Sequence, residues 1–151
     1  MFSFLNAMPD AHAKVSGNRN YPELEGDVYF YGVHGGTMVV ADVRNLPEGN
    51  QFHAFHIHEG GDCDNPGQHY AGNQGQHPNH AGDMPPLLAN DGNAFQVFYT
   101  SRFFPEDVVG KTVVIHEMRD DFKTQPSGDA GEMIACGEIE GKSKISKSYH
   151  Y

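Results

Sequence analysis

The segment Phe52-His-Ala-Phe-His-Ile-His-Glu59 decides the fold of this chain. Its alternating pattern predicts a β-strand, in which successive side chains point to opposite faces. His56 and His58 therefore project to the same face, about 7 Å apart at Cα. His53 has the opposite parity, so we expect it to point into the protein and to hydrogen-bond the backbone.

The chain beyond this strand holds four more imidazoles and one carboxylate that could bind metal. His69, His77, His80 and Asp83 lie in a long polar loop, and His116 ends a second apolar run, Thr112-Val-Val-Ile115. Imidazole suits both copper and zinc, and carboxylate is a common zinc ligand. So many ligands in so short a stretch exceed what a core or a solvated surface needs, and they predict a pair of adjacent metal ions.

The rest of the chain predicts short strands separated by turns and loops. Strands are expected at 11–17, 27–33, 37–43, 94–101, 111–116 and 133–139, with a hairpin turn at 34–36. Residues 59–93 and 117–132 form polar loops with almost no periodicity. A loop as long as the first is uncommon unless metal ligation or a disulfide orders it. We predict one all-β domain, an antiparallel barrel or sandwich at 11–141, between an N-terminal tail (1–10) and a basic polar C-terminal tail (142–151).

Charge and apolar content narrow the partners and the compartment. The net charge of −10 argues against nucleic acid and against an anionic membrane surface. Apolar stretches are too short for a transmembrane helix, and the first residues lack the basic and apolar regions of a signal peptide. The expectation is a cytoplasmic protein with no membrane partner, or a periplasmic or extracellular one if a leader was removed.

The two cysteines, Cys63 and Cys136, leave two interpretations open. They lack the close spacing usual for thiolate zinc sites, and free core thiols are ordinary in a cytosolic protein. Cys63, however, lies in the long loop and Cys136 in a predicted strand. A disulfide between them would pin the loop to the barrel and stabilise the fold by about 2–4 kcal/mol.

Six short motifs together resemble the copper/zinc superoxide dismutase family over residues 11–140. They are Phe55-His-Ile-His-Glu-Gly-Gly-Asp-Cys63, Gly67-Gln-His69, His80-Ala-Gly-Asp83, Val114-Ile-His-Glu117, Lys123-Thr-Gln-Pro-Ser-Gly128 and Ile134-Ala-Cys-Gly137. The resemblance implies an eight-stranded antiparallel Greek-key β-barrel, an immunoglobulin-like sandwich, with long metal-binding and electrostatic loops. The short spacing from His58 to Cys63 is similar to bacterial members, which include monomers and homodimers, so a homodimer stays among the expectations.

The resemblance also implies a role for each candidate site residue. It implies copper ligands at His56, His58 and His116, a copper–zinc bridge at His69, remaining zinc ligands at His77, His80 and Asp83, a supporting carboxylate at Asp120, and a Cys63–Cys136 disulfide. The expected reaction converts superoxide to dioxygen and hydrogen peroxide by cycling a copper ion between Cu(II) and Cu(I), beside a structural zinc ion. His69 would carry a proton in that cycle.

One position departs from the family pattern. Where the family has an arginine that attracts superoxide, three residues before the second cysteine, this chain has Met133, next to Glu132. Losing that cation would lower the association rate by roughly one to two orders of magnitude. Arg119 is the better candidate to replace it, and Lys123 is the other. The alternative is a copper/zinc-binding protein of the same fold with little dismutase activity; a barrel that has lost metal binding is disfavoured because all seven ligands are present.

Overall fold

The computed structural model describes residues 7–72 and 75–148, and eight strands and two short helices lie in these ranges. In chain order they are β1 (Ala11–Gly17), β2 (Glu25–Val33), β3 (Gly36–Arg44), β4 (Phe52–His58), β5 (Asp83–Leu88), β6 (Ala94–Thr100), α1 (Pro105–Val108), β7 (Thr112–His116), β8 (Met133–Gly141) and α2 (Lys142–Ser148). The predicted all-β fold and the eight-stranded antiparallel barrel are confirmed.

The strands form one antiparallel sheet in the order β5-β4-β7-β8-β1-β2-β3-β6. Its two edge strands, β5 and β6, meet and nearly close the barrel. The Gln96 side chain on β6 spans this seam, because its amide donates to the Pro86 carbonyl at 3.1 Å and its oxygen accepts from the Leu88 N–H at 3.3 Å. A side chain thus supplies hydrogen bonds where the backbone ladder stops.

Alternation along the strands separates the core from the metal-ligand face. Phe55 and Ile57 of β4 are fully buried in the apolar core, as are Val113 and Ile115 of the adjacent β7. His56 and the other outward residues of β4 are covered instead by the loop that follows, which makes backbone hydrogen bonds along this strand. The strand thus has one face in the core and the other beneath a polar loop.

His53 has the structural role expected from its parity. It is fully buried on β4, and its Nδ1–H donates to the backbone carbonyl of His116 at 3.0 Å. It therefore supports the backbone of a candidate ligand and does not join the ligand cluster.

Three elements differ from the sequence-based expectation. Strand β5 lies inside the loop that was predicted to have no regular structure. Its sequence contains Pro85 and Pro86, which argue against a strand, but prolines are tolerated here because β5 is an edge strand. Helix α1 is too short to show a helical period. Helix α2 forms within the predicted polar tail, contacts β1 and β8, and buries Ile145, its one apolar side chain.

Residues 1–6 and 149–151 of the predicted tails lie outside the described ranges. Within those ranges, neither helix has the length and apolarity needed to cross a membrane.

Candidate metal centre

Strands and loops bring all seven predicted ligands, and Asp120, to one region outside the barrel wall. Strand β4 carries His56 and His58, and His116 ends the neighbouring β7. The loop between β4 and β5 adds three imidazoles and leads into Asp83, the first residue of β5. Asp120 comes from the loop between β7 and β8. Each of the six histidines has at most 9% of its surface exposed, so the site is sheltered from solvent.

Four imidazoles form one compact group with their ligand atoms within 4.8 Å of one another: His56, His58, His69 and His116. His56 and His69 have ring centroids 4.1 Å apart, and His58 and His69 4.8 Å apart. One buried ring nitrogen of each has no hydrogen-bond partner among the described residues, namely Nδ1 of His56 and Nε2 of the other three. Buried polar atoms are normally paired, so four unpaired nitrogens at one point fit a cation.

Hydrogen bonds on the far sides of these rings set which nitrogen is free. His58 Nδ1 lies 2.8 Å from the Gly67 carbonyl, and His116 Nδ1 lies 3.1 Å from the Gly131 carbonyl. A carbonyl can only accept, so both rings carry their proton on Nδ1 and keep a lone pair on Nε2. His56 places Nε2 against the Asp120 carboxylate at 2.7 Å, which leaves its Nδ1 free. The orientation expected of metal ligands is therefore built into the protein.

A second group converges on the Asp83 carboxylate. Oδ1 lies 2.8 Å from His69 Nδ1, and Oδ2 lies 3.1 Å from both His77 Nδ1 and His80 Nδ1. Three imidazoles and one carboxylate match the composition of a closed tetrahedral zinc site. His69 belongs to both groups, since its Nδ1 faces Asp83 and its Nε2 faces the other imidazoles.

The two groups are less separate than the sequence implied. The compact set of atoms around Asp83 comprises His56, His69, His77 and Asp83, with His56 in the position expected of His80. His80 still contacts Asp83 through Nδ1, which has no hydrogen bond of suitable geometry. His56 thus borders both groups, and His80 lies at the edge of the second.

Asp120 connects the two groups by hydrogen bonds to one histidine of each. Its carboxylate accepts from His56 Nε2 and His77 Nε2, each at 2.7 Å, and it is almost fully buried. Gly128 lies directly over these bonds with φ +80°; a Cβ there would overlap Asp120 Oδ1 and lie 2.7 Å from His77 Nε2. The absence of a side chain at Gly128 is therefore required for the carboxylate to reach both rings.

Two further residues hold the loop, in roles that the sequence did not indicate. The Arg102 guanidinium donates to the carbonyls of residues 78, 80 and 83 at 2.9, 3.1 and 3.3 Å. The Gln125 side chain forms two hydrogen bonds with the backbone of His77, to its N–H at 3.1 Å and its carbonyl at 2.6 Å. Both act on backbone atoms far away in sequence, so the place of Gln125 in the motif Lys123-Thr-Gln-Pro-Ser-Gly128 did not reveal this role.

Burial and neighbouring charges set the protonation of the site. Desolvation lowers the pKa of His58 to about 3 and that of His116 to about 4, and adjacent imidazoles add to the effect. Burial raises the pKa of Asp120, but hydrogen bonds from His56 and His77 outweigh it and bring the pKa to about 2. At neutral pH, His58 and His116 are therefore neutral and Asp120 is ionised, which for imidazole is the state that binds metal.

The two cysteines form a disulfide, which confirms the pairing that the family resemblance implied. Cys63 lies in the loop after β4 and Cys136 in β8, with Cα atoms 5.8 Å apart and a sequence separation of 73. The bond anchors the start of the ligand-bearing loop to the barrel wall.

The position that departs from the family pattern, Met133, lies opposite His116 in the pairing of β7 and β8. Arg119 is exposed and makes no hydrogen bond or ion pair with any described residue through its side chain, and the same holds for Lys123. Within ranges 7–72 and 75–148, neither candidate cation therefore has a side-chain partner.

Comparisons with known proteins agree with this geometry. The family model described as copper/zinc superoxide dismutase (SODC) matches residues 24–139. A superoxide dismutase (Cu-Zn) from Legionella pneumophila is 32% identical over 152 residues, 93% of each chain. Superoxide dismutase (Cu-Zn) 1 from Aquifex aeolicus is 31% identical over 163 residues, 93% of this chain and 94% of its own. The solved structure of a SOD-like protein from Bacillus subtilis matches with a TM-score of 0.70 and 25% identity, over 84% of this chain and 96% of that one.

Proposed function

Because this chain belongs to the copper/zinc superoxide dismutase family, we propose that it converts superoxide to dioxygen and hydrogen peroxide at the four-imidazole group. The observation that carries the proposal is the convergence of four buried, unpaired ring nitrogens beside a second set of zinc-type ligands. Copper bound to the four imidazoles would supply the one-electron redox chemistry, and zinc at the Asp83 group would be structural.

The protein's own contribution is orientation and proton handling. The carbonyls of Gly67 and Gly131 orient His58 and His116, and Asp120 orients His56, so three rings present lone pairs to one point without rearrangement. His69 is placed to hold a proton at Nε2, since its Nδ1 is engaged by Asp83. We assign His69 this proton-carrying role.

We propose Arg119 as the cation that attracts superoxide in place of the missing arginine. It follows His116 by three residues and directly precedes Asp120, and its side chain has no competing partner among the described residues. Arg119→Ala should slow superoxide decay, and added salt should reduce the difference from wild type because screening weakens steering. Arg44→Ala on β3, which removes the same charge elsewhere, is the matched control. Equal rates for the two variants would reject Arg119, and Lys123→Ala would then be tested in the same assay.

A copper/zinc-binding protein with little dismutase activity is the second candidate, and Met133 favours it. Metal analysis by mass spectrometry, combined with the decay of superoxide by the same sample, separates the two functions. One copper and one zinc per chain with fast decay supports the dismutase. Both metals with decay no faster than an equal concentration of aqueous copper supports the binding protein.

The disulfide bears on the compartment. Disulfides persist in oxidising compartments and are rare in the cytosol of mesophiles. We therefore favour a periplasmic or extracellular location over the cytoplasmic one, and alkylation of cell fractions would test it. A reduced Cys63–Cys136 pair in freshly lysed cells, trapped with a thiol reagent, would contradict this assignment.

A further inference from the structure

Two methionines, Met118 and Met133, lie near His116 in the fold. Met133 is the direct partner of His116 across β7 and β8. Pairing continues past the end of β7, since the Glu117 N–H donates to the carbonyl of Glu132 at 2.8 Å. Met118 lies two residues beyond His116, and its N–H donates to the carbonyl of Ala130 at 2.9 Å. Together, Met118 and Met133 are called the thioether pair below.

Met118 extends over the backbone that supports His116. Its Cγ and Sδ lie 3.3 and 3.4 Å from the position that a Cβ of Gly131 would occupy. The Gly131 carbonyl accepts the hydrogen bond that orients His116, at 3.1 Å. The sulfur of Met118 is thus adjacent to the residue that holds this ligand, and Met133 lies across from the ligand itself.

The thioether pair has no role in the core. Met118 is 47% exposed and Met133 is partly exposed, whereas Met84 is 4% exposed and packs in the core. A thioether side chain is a soft ligand that selects Cu(I) among biological metals, and methionine is flexible enough to bring its sulfur to an ion. Two such side chains lie next to His116, one across the strand pairing and one against Gly131, and its Nε2 has no hydrogen-bond partner among the described residues; together they offer donors for Cu(I).

Local charge favours a cation at this position. Glu117 directly precedes Met118, Glu132 directly precedes Met133, and the two glutamates are paired through their backbones. The whole chain has a net charge of −10. Arg119 is the neighbouring cation and points to no described partner. An acidic surface concentrates cations and repels superoxide, so the substitution at Met133 suits the arrival of copper better than the arrival of substrate.

We propose that the thioether pair captures Cu(I) and passes it to the four-imidazole group through His116. The inference rests on the proposed function, because it takes that group as the destination of copper. The transfer is a ligand exchange: each sulfur–copper bond that breaks is replaced by a nitrogen–copper bond, and copper stays Cu(I) throughout. No electron or proton needs an acceptor. Met133 thereby has a function in place of the family's arginine.

Methyl NMR tests the capture step directly. The zinc-loaded, copper-free protein, labelled with carbon-13 at the methionine methyls, is titrated with Cu(I) from its bicinchoninate complex without oxygen. The methyl signals of Met118 and Met133 should shift at the first additions, while those of Met38 on β3 and Met84 in the core stay unchanged. If the Met118 and Met133 signals do not move before one equivalent is bound, the capture site does not exist.

Transfer kinetics test the passage to imidazole. Leucine has nearly the volume of methionine but no sulfur, so the double variant Met118→Leu/Met133→Leu keeps the packing. It should take Cu(I) from the chelator more slowly by about tenfold, the lower end of losses seen when support for a metal site is removed. Its final copper content should equal that of wild type, and Met38→Leu should load at the wild-type rate. Equal loading rates for the double variant and wild type would overturn the proposal.

The two proposals fail in different ways. Superoxide decay is measured on protein already loaded with one copper and one zinc, where the route of loading no longer matters. Slow decay with a normal thioether response would reject the dismutase function and keep the capture site. Fast decay with no thioether response would keep the dismutase function and reject the capture site.

Discussion

Replacing Gly128 by alanine should weaken both the fold and zinc binding, because the added methyl overlaps the Asp120 carboxylate that orients His77. Two costs add. A left-handed φ of +80° costs a residue with a Cβ about 1–2 kcal/mol. Separating the buried Asp120–His77 pair costs roughly a further 1.5–3 kcal/mol, the range for hydrogen bonds to charged groups.

Gly110→Ala isolates the first of these costs. Gly110 has nearly the same φ, +85°, yet apart from its chain neighbours no atom of the described residues lies within 4 Å of where its Cβ would be. This variant should lose only the backbone contribution to the free energy of unfolding. The difference between the two variants therefore measures the contact of residue 128 with the carboxylate.

Urea unfolding of the metal-free variants gives the stability difference, and competition with a chromophoric chelator gives zinc affinity. We expect Gly128→Ala to lower zinc affinity by roughly ten- to a hundredfold, as for other residues that orient metal ligands, and Gly110→Ala to leave it unchanged. Equal free energies of unfolding and equal zinc affinities in the two variants would refute the role given to the Asp120–His77 hydrogen bond.

Three other predictions follow from the same geometry. Asp120→Asn keeps the shape but offers one acceptor to two imidazole N–H donors, so zinc affinity should fall by about tenfold or more in the chelator assay; an unchanged affinity would contradict it. Replacing Cys63 and Cys136 by serine opens a long loop and should lower the free energy of unfolding by about 4 kcal/mol, with a loss below 1 kcal/mol counting against it. In the metal-free protein, His58 and His116 have pKa values lowered by burial from 6.5 to about 3 and about 4. The unfolded chain therefore takes up protons first as the pH falls, and the free energy of unfolding should decrease from pH 6.5 toward pH 4; a flat profile in that window would contradict this sign.

The elements that carry most of the site were predictable because their signal is local. Strand β4 shows its alternation directly, and the spacing of His56 and His58 places two imidazoles on one face whatever the rest of the chain does. Strand β7, which ends in His116, also has a local signal, the apolar run Thr112-Val-Val-Ile115. Strand β5 was not predictable: Pro85 and Pro86 argue against a strand, and only its place at the sheet edge permits them.

The candidate ligands could be proposed from sequence, whereas the residues that hold them in place could not. The histidines and Asp83 stand out by type and spacing, and the family resemblance assigns them to two metals. Arg102 and Gln125 act through backbone carbonyl and amide groups brought near by the fold. Any arginine or glutamine could make such bonds, so sequence alone does not assign this role to either residue.

The architecture divides the candidate ligands into a set on the strands and a set on the loop. His56, His58 and His116 sit on paired strands, and the groups that orient them, the Gly67 and Gly131 carbonyls and the Asp120 carboxylate, come from the two polar loops. The other imidazoles come from a loop that is held by the disulfide, by Arg102 and by Gln125, with little apolar burial of its own. The unpaired nitrogens that face the centre each cost about 1–3 kcal/mol when buried. Metal binding relieves that cost at the point where loop and strands meet, so ordering of the loop and binding of metal are thermodynamically linked.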